Sequence, residues 1–295
     1  MKILMTFLFF LSFKIISQKR IEHTIAHLKQ SPSITPQPFN QQNNEVIHKF
    51  EKQLHIKLKH CNLDYFYNNV NHLNIKLSTI PFFFRAEYNI RKNKIILTDL
   101  DDIHHELFHM ASSYYNGTDF CGFSQNNFGM GINEGYTQLL TERYFQDEDS
   151  YYIAEVEIVS KLEKIIGREE MEKMYFQADL FHLISSLMEY ESKDKIVDFI
   201  QAVDYISLKI DNRWKPLCKK RININLQKIY LFLLKCYVKK LQIELEKQEI
   251  TEKEFYKKLS IFSKELQTIS DSYEDKYVVL DQEKIEKEIK SIIKK

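Results

Sequence analysis

The distribution of glycine constrains the fold of this chain more than any other sequence feature. Only six of the 295 residues are glycine, and five of these lie between positions 117 and 135. Proline is equally scarce, and three of the five prolines lie between positions 32 and 38. In a chain with so few residues that interrupt regular structure, the two clusters mark its main boundaries. The length and the 44% hydrophobic content suit a globular protein with a sizeable core.

Hydrophobic periodicity predicts an α+β protein that is predominantly α-helical. Two helices are expected at residues 45–60 and 63–77, followed by a β-hairpin formed by Phe82–Tyr88 and Ile95–Thr98. A helix is then predicted from an Asp99 N-cap to Tyr115, and another from Ile132 to Phe145 after a glycine-rich loop. Thr251-x-x-Glu254 is typical of a helix start. Further helices are predicted at 151–166, 169–191, 193–209, 222–247, 252–271 and 281–294.

The first 20 residues are predicted to be a signal peptide or a membrane anchor. Lys2 precedes the apolar run Ile3–Phe13, which is too short to span a membrane but fits the hydrophobic region of a secretory signal. Residues 21–44 contain the proline cluster and are predicted to be a linker. The sequence therefore predicts a secreted or membrane-associated protein, with membrane association through residues 1–20. A buried N-terminal helix in a cytoplasmic protein is the alternative.

Charge and cysteine content exclude several classes of protein. The chain has 42 basic and 41 acidic residues and a net charge of +1, so no nucleic-acid partner is predicted. The four cysteines are far apart and form no C-x-x-C pair, which excludes a disulfide scaffold and a structural zinc knuckle. They are interpreted as free or buried thiols, with one or two disulfides left open if the chain is exported.

The segment His105-Glu106-Leu107-Phe108-His109 is an H-E-x-x-H motif on a predicted helix. Positions i and i+4 share one face of a helix, so His105 and His109 can direct their imidazoles to one point. Zinc with three protein ligands keeps a fourth position for water, whose pKa falls to about 7. Glu106 lies about 100° around the helix, where it can contact such a water. Glu106 is therefore predicted to be a general base.

A third ligand has to come from elsewhere in the chain. Ser112 and Tyr115 occupy the positions where the motif H-E-x-x-H-x-x-G-x-x-H requires glycine and histidine, so the metzincin arrangement is absent. Glu134 lies near the start of the second predicted helix, after the glycine-rich loop. A carboxylate at that place can turn back toward the first helix, and Glu134 is the predicted third ligand.

The H-E-x-x-H motif followed by Asn133-Glu134-Gly135-Tyr136-Thr137 resembles the gluzincin metallopeptidases, the thermolysin-like branch, and is similar to divergent bacterial members. The resemblance implies a zincin-like catalytic core and one zinc ion (Zn2+) per chain bound by His105, His109 and Glu134. It also implies Glu106 as the catalytic base and a peptide or protein as the substrate. The thermolysin pattern continues N-E-A-x-S-D, whereas this chain has Gln138 in place of the final aspartate.

Residues around Glu134 are predicted to complete the site. Asn133, Thr137 and Gln138 are expected to support the metal ligands, and Tyr136 is a candidate catalytic residue. Peptide hydrolysis also needs a donor to the developing oxyanion, and no spacing selects one. The candidates are Tyr136, Tyr144, Tyr151, Tyr152 and His182.

The predicted organisation places a zincin-like catalytic domain at 45–210 and a helical C-terminal subdomain at 211–295. Zinc-dependent peptide-bond hydrolysis is the predicted function. One alternative is a zincin-like binding or regulatory protein without general peptidase activity. Another is a helical interaction protein whose working part is the C-terminal helices.

Overall fold

The structure is a computed structural model that describes residues 41–77, 86–97, 102–146, 152–208 and 216–266, together with residues 269 and 287. The predicted signal or anchor segment and residues 21–40 of the predicted linker lie outside these ranges. So do Asp99, Tyr151 and, apart from residue 287, the predicted helix 281–294. Within the described residues, no helix is both long and apolar enough to cross a membrane.

The N-terminal part of the described chain combines two helices with a small sheet. Its elements are α1 (Gln41–Lys57), α2 (Asp64–Val70), β1 (Asn74–Leu77), β2 (Glu87–Asn89) and β3 (Lys94–Leu97). Strand β3 lies in the centre, parallel to β1 and antiparallel to β2. The predicted hairpin therefore forms, with its first strand at Glu87–Asn89; positions 82–85 lie outside the described residues. The helix predicted at 63–77 is confirmed for Asp64–Val70, but residues 74–77 instead pair with β3 and bury Ile75 against it.

The motif region alternates helix and sheet. It comprises α3 (Ile103–Ala111), β4 (Ser113–Tyr115), β5 (Asp119–Cys121), β6 (Ser124–Gln125) and α4 (Met130–Phe145). The prediction that the first helix extends to Tyr115 is wrong, and the predicted loop contains two strands. Tyr114 pairs with Phe120 across the antiparallel β4–β5 ladder, and their rings stack with centroids 4.6 Å apart. This cross-strand pair stabilises the sheet in place of a longer helix.

Helices make up the rest of the described chain. They are α5 (Ile153–Ile166), α6 (Arg168–Phe176), α7 (Leu180–Leu187), α8 (Lys193–Ser207), α9 (Pro216–Glu246) and α10 (Glu252–Glu265). The predicted single helix 169–191 is wrong, because the chain breaks at Ala178, whose φ is 51°. Asp179 then caps α7 by accepting a hydrogen bond from the His182 N–H. The Thr251–Glu254 capping box begins α10 as predicted.

Helix α4 lies at the centre of the packing. It packs against α3 on one side and against α5 and α8 on the other. The core around it contains large buried aromatic side chains, including Phe108, Phe123 and Tyr175. Helix α9 packs against α8 and α5, so the C-terminal helices contribute to the same core. The described residues form an α+β fold that is predominantly helical, as predicted.

Candidate metal centre

Three side chains predicted as metal ligands meet between α3 and α4. The Nε2 atoms of His105 and His109 lie 3.0 Å apart. The Oε2 atom of Glu134 lies 3.2 Å from His105 Nε2 and 3.3 Å from His109 Nε2. Both histidines are buried, and Glu134 is partly exposed. The helical i, i+4 spacing and the first turns of α4 thus bring three donor atoms to one point.

Gln138 determines which nitrogen of His105 faces this point. Its Nε2 donates to the Glu142 carboxylate at 3.3 Å, so its Oε1 faces His105 Nδ1 at 3.0 Å. An amide oxygen only accepts hydrogen bonds, so Nδ1 must carry the proton. The Nε2 atom of His105 then presents a lone pair to the centre. Gln138 stands where the thermolysin pattern N-E-A-x-S-D has its aspartate. It is therefore a hydrogen-bond acceptor that orients His105.

His109 has a different set of neighbours. Its Nδ1 atom lies 3.3 Å from Asn133 Nδ2, 3.4 Å from Thr137 Oγ1 and 3.5 Å from Cys121 Sγ. Thr137 donates to the Asn133 carbonyl oxygen, which leaves its hydroxyl oxygen free to accept. Asn133 is held by the Phe123 N–H, which donates to its Oδ1. The predicted supporting residues Asn133 and Thr137 therefore both contact the ring of His109.

The separations of the three donor atoms match a tetrahedral zinc site. With zinc–nitrogen and zinc–oxygen bonds of about 2.0–2.2 Å, tetrahedral ligand atoms lie about 3.3–3.6 Å apart. The observed separations of 3.0 to 3.3 Å are close to these values. In addition, the lone pair of His105 faces a carboxylate oxygen, and a cation would satisfy both acceptors. Two imidazoles and a carboxylate are one of the ligand sets that catalytic zinc sites in proteins use.

In the triad, the negative charge of Glu134 and the positive charge of protonated His109 stabilise each other. Burial would raise the pKa of Glu134, but the charge of His109 and a hydrogen bond from that histidine hold it well below its usual range. Burial would lower the pKa of His109, but the Glu134 and Cys121 side chains raise it well above its usual range. Glu134 is therefore ionised. A metal ion would compete with a proton for His109, so acidification should weaken metal binding.

Glu106 lies beside the triad and is almost fully buried. Burial raises its pKa, whereas the two histidines and a hydrogen bond from the backbone N–H of Tyr88 lower it. Tyr88 belongs to β2, which forms one edge of its sheet. Strand β3 is the central strand of this sheet. Strand β2 is therefore the edge strand that contacts the candidate base.

The candidate oxyanion donors differ in how close they lie to the triad. The ring of Tyr152 stacks on His105 with centroids 5.4 Å apart, and the Glu134 charge raises the pKa of Tyr152. Tyr136 is fully buried and donates to Glu163, so its placement does not support the catalytic role predicted for it. Tyr144 donates to Glu172 at the opposite end of α4. His182 lies exposed on α7 beside Glu170.

Two buried side chains beside the centre were not predicted to take part in it. The hydroxyl oxygen of Tyr175 in α6 lies 2.6 Å from Thr137 Oγ1. Tyr175 therefore extends the polar cluster that contacts Nδ1 of His109. Glu155 of α5 is buried against the backbone of α4 at Gly135. Neither residue belongs to a motif, and only the packing of α5 and α6 on α4 reveals them.

Comparisons of the chain with protein-family models, with curated proteins and with solved structures found no match.

Proposed function

We propose that this chain is a zinc-dependent peptidase with a zincin-like core. The observation that carries the proposal is the convergence of His105 Nε2, His109 Nε2 and Glu134 Oε2 within hydrogen-bonding distance of one another. The acid Glu106 is buried beside them. One zinc ion per chain fits this donor set. A bound zinc ion would supply Lewis acidity, which polarises a carbonyl group and acidifies water.

Glu106 supplies the proton transfer in this proposal. A buried carboxyl whose pKa is raised is a better base near neutral pH than an exposed one. Glu106 accepts the proton of the attacking water and then delivers it to the nitrogen of the leaving amine. The hydrogen bond from the Tyr88 backbone holds the carboxylate against β2 during both transfers.

Tyr152 is the donor that we assign to the developing oxyanion. Its side chain lies against His105 and hydrogen-bonds the Glu134 carboxylate, so its hydroxyl group stays protonated at neutral pH. When a substrate is bound, the phenol can turn this proton from Glu134 to the carbonyl oxygen as negative charge develops there. Among the candidates within the described residues, Tyr152 is the one that contacts the triad.

Strand β2 is the proposed site of substrate binding. It is an edge strand and lies next to Glu106 through the Tyr88 backbone. An extended peptide can add to an edge strand through backbone hydrogen bonds. Such pairing would carry a peptide bond past Glu106 and the triad, which supports a peptide or protein as the substrate.

The test compares the wild type with Glu106→Gln and Glu134→Ala. Wild-type protein should carry about one zinc per chain and cleave casein or a peptide library. Glu106→Gln should keep the zinc and lose at least a hundredfold in hydrolysis, because the amide cannot accept the proton. Glu134→Ala should bind zinc much more weakly, because only the two histidine ligands remain. Glu170→Gln is the control, since Glu170 lies on the surface of α6 beside Lys173.

Two outcomes would contradict the proposal. Full hydrolysis by Glu106→Gln would remove the assigned base. Stoichiometric zinc without cleavage of any peptide would instead support a zincin-like binding or regulatory protein.

A further inference from the structure

The N-terminus of α4 is bound by a carboxylate from a distant part of the chain. Asp204, in the last turns of α8, accepts hydrogen bonds from the backbone N–H groups of Gly129 and Gly131. Each oxygen of the carboxylate takes one of these bonds, and both distances are 2.9 Å. Asp204 is 9% exposed. Two backbone donors at the start of the helix are thereby satisfied inside the protein.

Helix α4 has no side-chain cap of its own. The residue before its first turn is Gly129, whose φ is 85° and which has no side chain to accept a hydrogen bond. The first N–H groups of a helix have no partner within the helix. Asp204 supplies the missing acceptor, and its negative charge complements the positive end of the helix dipole.

The contact between α8 and α4 is close because Gly131 lacks a side chain. A Cβ atom at Gly131 would lie 2.9 Å from the Val203 carbonyl oxygen and 3.0 Å from Val203 Cγ1. Val203 is the residue before Asp204, so the backbone of α8 rests directly on the first turn of α4. The carboxylate and this backbone contact together determine where the first turn lies.

Glu134 follows this anchored turn. It lies three residues after Gly131, a rise of about 4.5 Å along the helix. A small shift of the first turn would therefore move Glu134 relative to His105 and His109, which belong to α3. The three donor atoms are within 3.3 Å of one another, so a shift of even 1 Å would separate the ligands.

We propose that Asp204 is a positioning residue for the candidate metal centre. By binding the N-terminus of α4, it determines where Glu134 meets the two histidines. The inference rests on the proposed function, because it assumes that these three residues bind zinc. It adds a residue of α8, outside the motif region, to the machinery of the site.

The test is a double-mutant cycle on zinc affinity. Zinc binding is measured by competition with a chromophoric chelator for wild type, Asp204→Asn, Glu134→Ala and the double variant. The amide of Asp204→Asn keeps one acceptor and turns a donor toward the other N–H. We expect it to weaken zinc binding tenfold to a hundredfold, the usual effect of losing an outer contact of a metal site. If Asp204 acts through Glu134, the same change should have less than a threefold effect once Glu134 is alanine.

Two further variants separate positioning from general stability. Asp198→Asn is the matched control, since Asp198 lies exposed on the same helix beside Lys195; it should bind zinc like the wild type. Asp204→Glu keeps the carboxylate and should recover part of the affinity. The visible spectrum of bound cobalt should change in Asp204→Asn and remain unchanged in Asp198→Asn, because it reports the ligand geometry. If Asp204→Asn does not fold, Asp204→Ser replaces it in the cycle.

The outcomes distinguish this inference from the proposed function. Wild-type protein that binds no zinc would end both. Wild-type zinc affinity in Asp204→Asn would overturn the positioning role alone. An equal loss of affinity with and without Glu134 would also overturn it, because it would show that Asp204 affects the whole fold.

Discussion

Replacing Gly135 with alanine should destabilise this protein, although alanine is the better helix former. Gly135 follows the candidate ligand Glu134 in α4, and its Cα faces the first turn of α5. A Cβ atom there would lie 2.6 Å from the carbonyl carbon and oxygen of Glu155 and 2.7 Å from its Cβ. Ordinary contacts between carbon atoms begin at about 3.5 Å. Helix α5 would therefore have to move away from α4 by about 1 Å.

The expected change in stability follows from two opposing effects. Overpacking of this kind typically reduces the free energy of unfolding by about 1–3 kcal/mol. The higher helix propensity of alanine returns up to about 1 kcal/mol. We expect Gly135→Ala to lose about 1–2 kcal/mol, which lowers the Tm by about 2–8 °C in a chain of this size. Gly131→Ala should lose less, because its closest contacts are 2.9 to 3.0 Å.

The assay is thermal and urea unfolding of the metal-free protein, followed by circular dichroism. Ser185→Ala is the control, because Ser185 is exposed on α7 and gains propensity without a clash. That variant should unfold at or slightly above the wild-type temperature. If Gly135→Ala unfolds at the same or a higher temperature than the wild type, the close packing of α4 against α5 is refuted.

Three further predictions concern the site. Gln138→Ala should weaken zinc binding tenfold to a hundredfold in chelator competition, because His105 loses its orienting acceptor. Tyr152→Phe should keep zinc but lower kcat by about a hundredfold or more, with unchanged kcat counting against its role as a donor. Burial raises the pKa of Glu155 to about 7. The folded state then holds this proton more tightly than the unfolded state does. The free energy of unfolding should therefore fall by up to about 3 kcal/mol between pH 4.5 and about 7. Urea unfolding at several pH values measures this fall, and Glu155→Gln should flatten the profile.

Local spacing was sufficient to predict that the two histidines of the motif converge. His105 and His109 share a helix face because the geometry of a helix depends on sequence separation alone. The third residue, Glu134, came from the position of the glycine cluster and from the resemblance. Gln138 was recognised in sequence as a substitution, but its hydrogen bond to His105 required the structure. The tautomer of His105 was therefore not predictable from sequence.

The errors in secondary structure have tertiary causes. Residues 74–77 form a strand because β3 offers a pairing partner about twenty residues away, and no local pattern reveals that partner. The helix predicted at 169–191 breaks at Ala178, an alanine in the left-handed region that carries no glycine or proline signal. Its conformation is sustained by the hydrogen bonds around it, in which the Asp179 N–H donates to the Met174 carbonyl oxygen. Propensity is a weak guide where such contacts decide.

Residues that support the site from a distance were the least predictable. Asp204 binds Gly131 across 73 positions of sequence. An aspartate near the end of a predicted helix can have many roles. The role of Asp204 in binding the N-terminus of α4 follows only from the contact between α8 and α4. Tyr152 was one of five candidates, and its stacking on His105 distinguishes it. Both assignments depend on how helices pack, which sequence spacing does not encode.

The separation of the donor residues along the chain has a consequence for folding. Two donors lie on α3 and the third on α4, and the sheet of β4, β5 and β6 occupies the intervening segment. A bound ion would therefore act as a reversible cross-link that closes a loop of 24 residues. Closing a loop of that size costs conformational entropy worth about 3–4 kcal/mol, which the free energy of ion binding to the folded chain would offset. The ion would tether both ends of the segment that contains β4, β5 and β6, so that this segment would become a metal-dependent structural unit.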